Sequence, residues 1–321
     1  MTLPTVSLLL PVRDGARHLP EALESLRAQT FTDFELIVVD DGSRDDSAAI
    51  AEAYDARVLR QGREGLVAAL ERGRAAASGR FLARMDADDV ALPERLELQV
   101  AALEEEGLDA CGGGIEYFPR ATEGAERYAS WLNGLVTPEA AARDVFVECP
   151  LPHPTLIARR ELVEYRDRGW PEDYDLVLRL WARGARFRNV AQVVLRWRDR
   201  PDRLSRTDPR YSQDAFVRCK VHHLRETLLR GRPGAVVWGA GPVGKSFGRE
   251  LGADLVAFVE VDPRKLGKRI YGLPVVPVDE APRFAEALWL GAVAGEESRE
   301  RVRGLVAAQG RREGTDFVAV A

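Results

Sequence analysis

The sequence has few cysteines and no long apolar run, and these absences argue against several classes of protein. Its three cysteines, Cys111, Cys149 and Cys219, are odd in number and lack metal-ligand spacing, so we expect reduced thiols in a cytoplasm. No segment approaches the roughly 20 apolar residues that span a bilayer. The apolar stretch 6–10 has the size of a strand and no basic leader, so we do not expect a signal peptide.

Lysine is also scarce, and the chain has no excess of positive charge. The formal net charge is -5, whereas a general nucleic-acid binder needs a basic footprint that neutralises phosphates. Lysine occurs only at positions 220, 245, 265 and 268, and no dense block of arginines compensates for this. We therefore expect a cytoplasmic protein without a nucleic-acid partner. Peripheral contact with the inner face of a membrane, through arginines, stays open.

What the chain does have is length and a regular alternation of apolar periods. At 321 residues it can bury a sizeable core, and two domains are the natural expectation. The first hundred residues alternate between strand and helix patterns, which predicts a mostly parallel sheet flanked by helices, an α/β fold. The predicted strands are 6–10, 34–39, 57–59 and 81–85, and the predicted helices are 18–28, 45–54, 66–77 and 93–105.

Polar residues follow three of these strands. The first strand leads into residues 11–14, the second into residues 40–43, and the fourth into residues 86–89. Ligands of such sheets bind outside the carboxyl ends of the strands, so we expect the three segments to form one pocket. Ser43 followed by Asp46 also has the pattern of a helix cap, which leaves Asp40 as the better functional candidate of its segment.

Asp86 and Asp88 form an Asp-x-Asp pair in the third of these segments. Two carboxylates in a tight turn can bind one hard divalent cation, and magnesium sites commonly combine such carboxylates with phosphates of the substrate. The alternative is a solvated acidic turn that caps the helix predicted near Pro93. The spacing alone leaves both interpretations open.

Two later segments carry charges that also have two interpretations. Glu172, Asp173 and Asp175 occupy the predicted first turn of a helix, where acids are favoured by the helix dipole or could include a general base. Arg196 and Arg198 share one face of a predicted strand. They either add positive charge to the pocket or lie on an exposed edge.

A second domain is predicted after the linker-like run 230–234. The strand 235–238 leads into Gly239, Gly241 and Gly244 with G-x-G-x-x-G spacing, and the next strand ends at Glu260. These four residues are candidates for dinucleotide binding. Packing of the helix on the sheet is the favoured interpretation, because glycines serve it too and Pro242 removes a donor from the turn. The predicted domains are 1–230 and a smaller Rossmann-like α/β domain, 231–321.

Residues 6 to about 205 resemble the family 2 glycosyltransferases, which have the GT-A fold. The resemblance rests on four segments in order, namely 6–14, 34–43, 85–95 and 172–176. It implies an inverting transfer of a sugar from a nucleoside diphosphate sugar to a hydroxyl of a saccharide or lipid-linked saccharide. The resemblance also favours a UDP-linked donor. Mg²⁺ or Mn²⁺ would be the cofactor. The sugar, the acceptor and the oligomeric state stay open.

The resemblance also implies roles for individual residues. Asp173 would deprotonate the acceptor hydroxyl, and Asp86 and Asp88 would bind the metal, with Asp86 also against the ribose. Asp14 and Glu71 stand where relatives commonly have Asn. The alternative function is a dinucleotide-dependent oxidoreductase or a nucleotide-sensing protein that uses the C-terminal domain. The residues expected to bind the nucleotide sugar are Pro11, Val12, Asp14, Asp40, Arg63, Asp86, His153, Glu172 and Arg198.

Overall fold

The computed structural model describes residues 3–321 and divides them into two compact units. The first unit comprises residues up to 141 together with 150–168 and 175–206, and the second comprises 142–149, 169–174 and 207–321. Each unit has its own sheet and core. The domain boundary predicted near residue 230 stays a prediction.

Fourteen strands and eleven α-helices are numbered here along the chain. The strands are β1 (Val6–Val12), β2 (Phe34–Asp41), β3 (Arg57–Gln61), β4 (Phe81–Arg84), β5 (Val90–Ala91), β6 (Ala110–Phe118), β7 (Ile157–Arg159), β8 (Phe187–Arg198), β9 (Ala235–Trp238), β10 (Leu255–Val259), β11 (Arg269–Ile270), β12 (Leu273–Val276), β13 (Leu288–Gly291) and β14 (Phe317–Ala319). The α-helices are α1 (Leu19–Arg27), α2 (Ser47–Glu52), α3 (Leu66–Ala76), α4 (Arg95–Glu105), α5 (Glu123–Asn133), α6 (Pro138–Arg143), α7 (Glu172–Ala182), α8 (Leu204–Thr207), α9 (Gln213–Glu226), α10 (Pro242–Leu251) and α11 (Glu296–Ala307). Short 3-10 helices cover His153–Thr155, Arg160–Leu162, Pro209–Tyr211, Gly252–Asp254 and Val278–Phe284.

The first unit is built on an eight-stranded sheet with the order β3-β2-β1-β4-β7-β6-β8-β5. Strands β3, β2, β1 and β4 are parallel, and so are β6 and β8, whereas β7 and β5 run antiparallel to their neighbours. The sheet is therefore mostly parallel, which confirms the predicted α/β architecture. The four strands predicted in the first hundred residues are β1 to β4.

The register of the parallel strands fixes where the site can form. Val12 lies opposite Asp40, and Leu9 lies opposite Arg84. The carboxyl ends of β1, β2 and β4 consequently lie at one edge of the sheet, as the sequence predicts. The inner strands β1 and β4 are almost wholly buried. Apart from Ser7 and Arg84, their side chains are apolar on both faces, which is the pattern of parallel strands covered by helices.

The glycine run of β6 allows the close approach of β8. A Cβ atom placed at Gly112 would lie 2.1 Å from Asn189 Oδ1, and one at Gly113 would lie 2.2 Å from a methyl carbon of Val194. The register between β6 and β8 also shifts at Gly113 and Gly114. Glycine is required here for packing, because any side chain would collide with β8.

The second unit contains a six-stranded sheet with the order β11-β12-β10-β9-β13-β14. Its strands are parallel except for the β11–β12 pair. Strand β9 lies near the middle with its successors on either side, which is the order of a doubly wound sheet. Trp238 and Trp289, with ring centroids 5.1 Å apart, lie in its core. A second, smaller α/β domain is thus present.

Among residues 3–321, no helix is both long and apolar enough to cross a membrane.

Candidate functional site

A cavity of about 720 Å³ opens in the first unit at the carboxyl ends of β1 and β4. The loop after β1, the acidic turn after β4 and the segment after β8 form its walls. It therefore brings together Pro11, Val12, Asp14, Asp86, Asp88 and Arg198, which the sequence predicts as site residues. The lining consists of Pro11, Val12, Arg13, Asp14, Gly15, Arg17, His18, Asp86, Ala87, Asp88, Pro119, Arg198, Asp199, Arg200, Pro201, Asp202 and Leu204.

The loop after β1 is held by hydrogen bonds to the loop after β2. Asp14 has a positive φ of 50°, a conformation that Asp and Asn adopt more readily than most residues. Its backbone N–H donates to Ser43 Oγ at 2.9 Å, and its Oδ1 accepts from the N–H of Arg44 at 2.8 Å. The prediction that Ser43 caps a helix is wrong, because α2 begins at Ser47 and the Ser43 hydroxyl holds the site loop instead.

The acidic turn concentrates three carboxylates. Oxygen atoms of Asp86, Asp88 and Asp89 lie within 4.8 Å of one another. Arg84 pairs with Asp86 at 2.5 Å, and Arg200 pairs with Asp88 at 3.0 Å. Burial, followed by the charge of Asp86, raises the pKa of Asp88 and raises that of Asp89 well above its ordinary value. The three carboxylates thus repel one another when ionised, and a cation bound among them would favour their ionised forms.

Asp89 is a structural member of this cluster and not a helix cap. A short strand, β5, follows the turn, and α4 begins only at Arg95, so the expected acidic cap on that helix is wrong. Asp89 Oδ1 accepts from the N–H of Arg198 at 2.8 Å. Its Oδ2 is buried and has no hydrogen-bond partner among the described residues. A buried carboxylate oxygen left unbonded beside two more carboxylates fits a divalent cation.

Two buried arginines support the turn from beneath. Arg95 is fully buried, and its guanidinium donates to the carbonyl oxygen of Arg84 at 2.6 Å and to Gln99 Oε1 at 3.3 Å. Burial lowers the pKa of Arg95 to about 9, against the opposing charge of Asp89. Arg84 is only 4% exposed. These contacts fix the backbone from which the acidic residues extend.

Arg198 joins the end of β8 to the cavity. Its Nε donates to the carbonyl oxygen of Asp88 at 2.7 Å, and its guanidinium lies 4.2 Å from the centre of the Phe118 ring. Arg196 lies over the same ring at 4.5 Å, but it pairs with Glu116 and does not line the cavity. Arg198 therefore adds positive charge to the cavity, which is the first of the two interpretations. Arg196 fits the second, a position on an exposed edge.

Asp40 and Arg63, two other predicted donor-site residues, do not line this cavity. Asp40 is buried at the end of β2, where its Oδ1 accepts from the N–H of Ser43 at 3.1 Å. Its neighbour Asp41 accepts from the N–H groups of Glu64 and Gly65 at 2.8 and 3.1 Å. Asp41 thereby shapes the loop that carries the exposed Arg63.

His153 is also outside the cavity lining. It is buried, and its Nε2 lies 3.0 Å from the hydroxyl of Tyr165. The N–H of Tyr165 donates to Glu71 Oε1 at 2.6 Å, and Glu71 also pairs with Arg74. Burial, and then the charge of Arg84, holds the pKa of His153 well below its ordinary value. Glu71, one of the two acids expected at positions where relatives commonly have Asn, is thus part of a structural network with Tyr165 and Arg74.

Glu172 and Asp173 belong to the second unit, at the start of α7. Glu172 is 1% exposed, and the hydroxyl of Tyr211 lies 2.9 and 2.7 Å from its two carboxylate oxygens. Asp173 is partly exposed, and its Oδ1 accepts from the N–H of Tyr174 at 2.8 Å. Glu172 is therefore held in place, while Asp173 keeps access to solvent.

The glycine-rich turn of the second unit is tightly packed. A Cβ at Gly244 would lie 1.7 Å from the carbonyl oxygen of Gly239, whose φ is +103°, while Gly241 has open space around it. Glu260, predicted to contact a cofactor, accepts from the N–H of Ala240 at 3.0 Å and pairs with Lys265 at 2.8 Å. The carboxylate of Glu260 thus accepts the hydrogen bond of a turn N–H that a bound phosphate would need. This favours the interpretation that the glycines serve packing.

Four basic residues of the cavity lining were not among the predicted site residues, namely Arg13, Arg17, His18 and Arg200. Arg13, Arg17 and His18 belong to the loop after β1, so the rule that placed Asp14 at the site would have included them. Burial lowers the pKa of His18, and the charges of Arg198 and Arg200 lower it further. Arg200 lies beyond the end of β8, and no local pattern announces its contact with Asp88.

Comparisons with known proteins agree on one family. The model for glycosyl transferase family 2 matches residues 7–165. The putative glycosyltransferase EpsE of Bacillus subtilis is 31% identical over 229 residues, which are 67% of this chain and 80% of EpsE. Glycosyltransferase AglE of Haloferax volcanii is 33% identical over 153 residues, which are 45% of this chain and 50% of AglE.

Solved structures show the same fold. TarS 1-349 of S. aureus in complex with UDP-GlcNAc has a TM-score of 0.57 at 18% identity, covering 78% of this chain and 72% of that one. The mannosyltransferase PcManGT of Pyrobaculum calidifontis, in complex with GDP-Man and Mn²⁺, has a TM-score of 0.52 at 18% identity, covering 79% and 69%. At these identities the similarity establishes the fold, which is the GT-A fold expected from the sequence.

Proposed function

Because the chain belongs to glycosyltransferase family 2, we propose that it transfers a sugar from a nucleoside diphosphate sugar to a hydroxyl group of a saccharide or lipid-linked saccharide. The observation that carries this proposal is the cavity at the ends of β1 and β4, which joins an acidic turn to several arginines. An acidic cluster suits a cation, and arginines suit phosphate oxygens. A UDP-linked donor is supported by the TarS complexes with UDP-GlcNAc and UDP.

Asp86, Asp88 and the buried Asp89 would hold Mg²⁺ or Mn²⁺. PcManGT is described with Mn²⁺, and the unbonded Asp89 Oδ2 and the three close carboxylates fit such an ion here. When bound, the ion neutralises negative charge on the leaving diphosphate. Arg198 and the loop 11–14 would position the donor. Three other predicted residues, Asp40, Arg63 and His153, do not line the cavity. They would act on the donor indirectly, through the loops that they hold in place or in which they lie.

Asp173 would remove the proton from the acceptor hydroxyl. Its carboxylate is partly exposed at the start of α7, and Glu172 beside it is fixed by Tyr211. A base on the face of the sugar opposite the leaving group gives an in-line displacement, so the product would have the inverted anomeric configuration. Nuclear magnetic resonance of the first-formed product reads that configuration directly.

The test separates donor binding from transfer. A panel of UDP-, GDP- and dTDP-sugars with Mn²⁺ is first screened by thermal stabilisation of the full chain, because a saturating ligand raises stability. We expect Asp173→Asn to keep the metal-dependent stabilisation and to lose transfer about 10²- to 10⁴-fold. Asp88→Asn should lose the stabilisation itself.

Asp46→Asn is the matched control. It makes the same carboxylate-to-amide change at an exposed position that does not line the cavity and whose side chain makes no cap hydrogen bond. This variant should behave as the wild type does in both assays. Wild-type transfer by Asp173→Asn would remove Asp173 as the base, and the absence of stabilisation by every sugar nucleotide would contradict the donor assignment.

A further inference from the structure

The second unit holds a separate cavity of about 380 Å³. All its lining residues belong to that unit, and the glycines of the G-x-G-x-x-G turn are not among them. Its volume lies in the range of small-molecule pockets, roughly 300–1,000 Å³. Most of the lining is apolar, from Val147, Phe216, Val217, Val243, Phe247 and Val320.

Lys220 of α9 is the charged residue in the buried part of this lining. It is 6% exposed, and its Nζ donates to the carbonyl oxygens of Val147 at 2.8 Å and of Val320 at 3.0 Å. Both acceptor residues line the cavity as well, so the ammonium group lies at the cavity wall. An ammonium group has three donors, and these bonds use two of them.

The charge of Lys220 has no ion-pair partner among the described residues. Burial lowers the pKa of Lys220, although the charge of Glu148 opposes this shift. Glu148 lines the cavity but is only half-buried, and its Oε1 accepts from the N–H of Cys149 at 2.9 Å. The Nζ of Lys220 also lies 5.8 Å from the centre of the Tyr174 ring. A buried cation that is held by two neutral carbonyls and an aromatic ring, without an ion pair, is unfavourable, and an anion placed beside it would offset that cost.

Two other polar side chains of the lining are engaged elsewhere, and the polar Gln213 is exposed. The Tyr211 hydroxyl lies 2.7 Å from Glu172, and Ser246 Oγ donates to Asp214 at 3.3 Å. Lys220 is therefore the group best placed to bind the polar end of a ligand, while the aromatic and branched side chains accept its apolar part. We propose that this cavity binds a small organic anion with an apolar body, such as a medium-chain carboxylate, with the anionic head on Lys220.

The proposal is tested on the full chain with three probes of similar length and different head groups. Isothermal titration calorimetry measures the binding of octanoate, 1-octanol and octylamine. We expect one octanoate per chain, bound about tenfold more tightly than 1-octanol or octylamine, because a charge-assisted hydrogen bond is stronger than a neutral one. Binding of octylamine as tight as that of octanoate, or no octanoate binding, would overturn the proposal.

Two variants locate the site. Lys220→Met should reduce octanoate affinity to that of 1-octanol, while the matched change Lys245→Met, at an exposed lysine outside the lining, should leave it unchanged. Ser246→Phe keeps Lys220 and fills the cavity from α10, so it decides the question if Lys220→Met does not fold. Wild-type octanoate affinity in either folded variant would place the ligand elsewhere and overturn the assignment.

Discussion

Arg200 forms an ion pair with Asp88, one of the carboxylates proposed to bind the metal ion. Its Nε lies 3.0 Å from Asp88 Oδ2, an ion pair whose alignment does not make it a hydrogen bond. A metal ion about 2.1 Å from that oxygen would lie roughly 5 Å from the guanidinium. A divalent ion and a guanidinium at this distance repel by about 7 kcal/mol at an effective dielectric of 20, and by much less where water screens them. Arg200 and a metal ion therefore compete for Asp88.

Replacing Arg200 by Gln should consequently strengthen metal binding in the absence of nucleotide. We expect Mn²⁺ affinity to rise about two- to fivefold, since a partly exposed ion pair contributes about 1 kcal/mol at most. Electron paramagnetic resonance of free Mn²⁺ measures this without any enzyme assay. Arg196→Gln is the control, because Arg196 pairs with Glu116 outside the cavity. Equal or weaker binding by Arg200→Gln than by the control would contradict the competition.

At the residue scale, site residues can be predicted from the sequence where they directly follow a strand. Asp14, Asp86 and Asp88 fall into this group, because the register of parallel strands carries them to one edge. The pairing of Arg200 with Asp88 was not predictable, since it depends on the path of an irregular segment. The role of Asp89 was missed for a related reason, as its partner is the N–H of Arg198, far away in sequence.

At the element scale, Glu35 of β2 joins three parts of the first sheet. Its Oε1 accepts from the hydroxyl of Ser7 on β1 at 2.6 Å, and from the N–H and hydroxyl of Ser78, before β4, at 2.8 and 2.6 Å. Burial by itself would raise the pKa of Glu35, but these hydrogen bonds outweigh it and lower the pKa below the ordinary value. The ionised carboxylate thus links β1, β2 and the turn before β4.

Glu35→Gln should therefore destabilise the fold in a pH-dependent way. At pH 7 we expect a loss of about 1–2 kcal/mol, the usual contribution of hydrogen bonds to a charged group. Because the pKa of Glu35 is lower in the folded state than in the unfolded state, where it is near 4.5, the ionised group stabilises the fold at pH values above 4.5. This stabilisation is lost as the pH falls through the pKa of the folded state. Urea unfolding at pH 7 and pH 4 should show the difference from wild type shrinking at pH 4.

Glu94→Gln serves as the control for this measurement, because Glu94 is exposed and its side chain makes no cap hydrogen bond on α4. It should unfold as the wild type does at both values of pH. A difference between wild type and Glu35→Gln that is the same at pH 7 and pH 4 would show that the ionised carboxylate is not the stabilising species.

Elements with a clear apolar period were predictable, and elements without one were not. Strand β9 has the predicted bounds, and β10 ends directly before Glu260, where its end was predicted. Each is a nearly continuous buried run between turn residues. Strand β5 has two residues, too few to show a period. Strand β8 starts at Phe187, six residues before its apolar run Val193–Leu195. The buried Asn189 interrupts the apolar pattern, and its amide donates to the carbonyls of Leu132 and Pro150.

At the scale of the whole molecule, the sequence predicts two α/β domains but not the composition of the units. Residues 142–149 and 169–174 group with the C-terminal part of the chain. Within that unit, Lys220 donates to Val147, Arg303 pairs with Asp144 at 2.5 Å, and Tyr174 donates to Val145 at 2.8 Å. Such long-range contacts leave no local signal, so Asp173 was predicted as a base without any indication that it belongs to the second unit.

The second sheet also bears on the alternative function, a dinucleotide-dependent oxidoreductase or a nucleotide-sensing protein. A dinucleotide needs free N–H groups at the glycine-rich turn and an acid free to bind the ribose. In this chain Glu260 already binds the N–H of Ala240, and its other oxygen accepts from Val261 and Asp262 at 2.9 and 3.2 Å. Both oxygens of the acid are thus used within the protein, and Lys265 neutralises its charge.

Titration of the full chain with NADH and NADPH should accordingly give no saturable binding at concentrations up to about 1 mM, where only contacts weaker than about 4 kcal/mol would escape detection. Fluorescence of the reduced nicotinamide reports binding directly. UDP with Mn²⁺, titrated into the same preparation, verifies that the protein is competent to bind a nucleotide. Saturable binding of one NADH per chain, with wild-type affinity lost in Gly241→Asp, would instead make the glycine-rich turn a cofactor site, because that substitution places a carboxylate in the open space at Gly241.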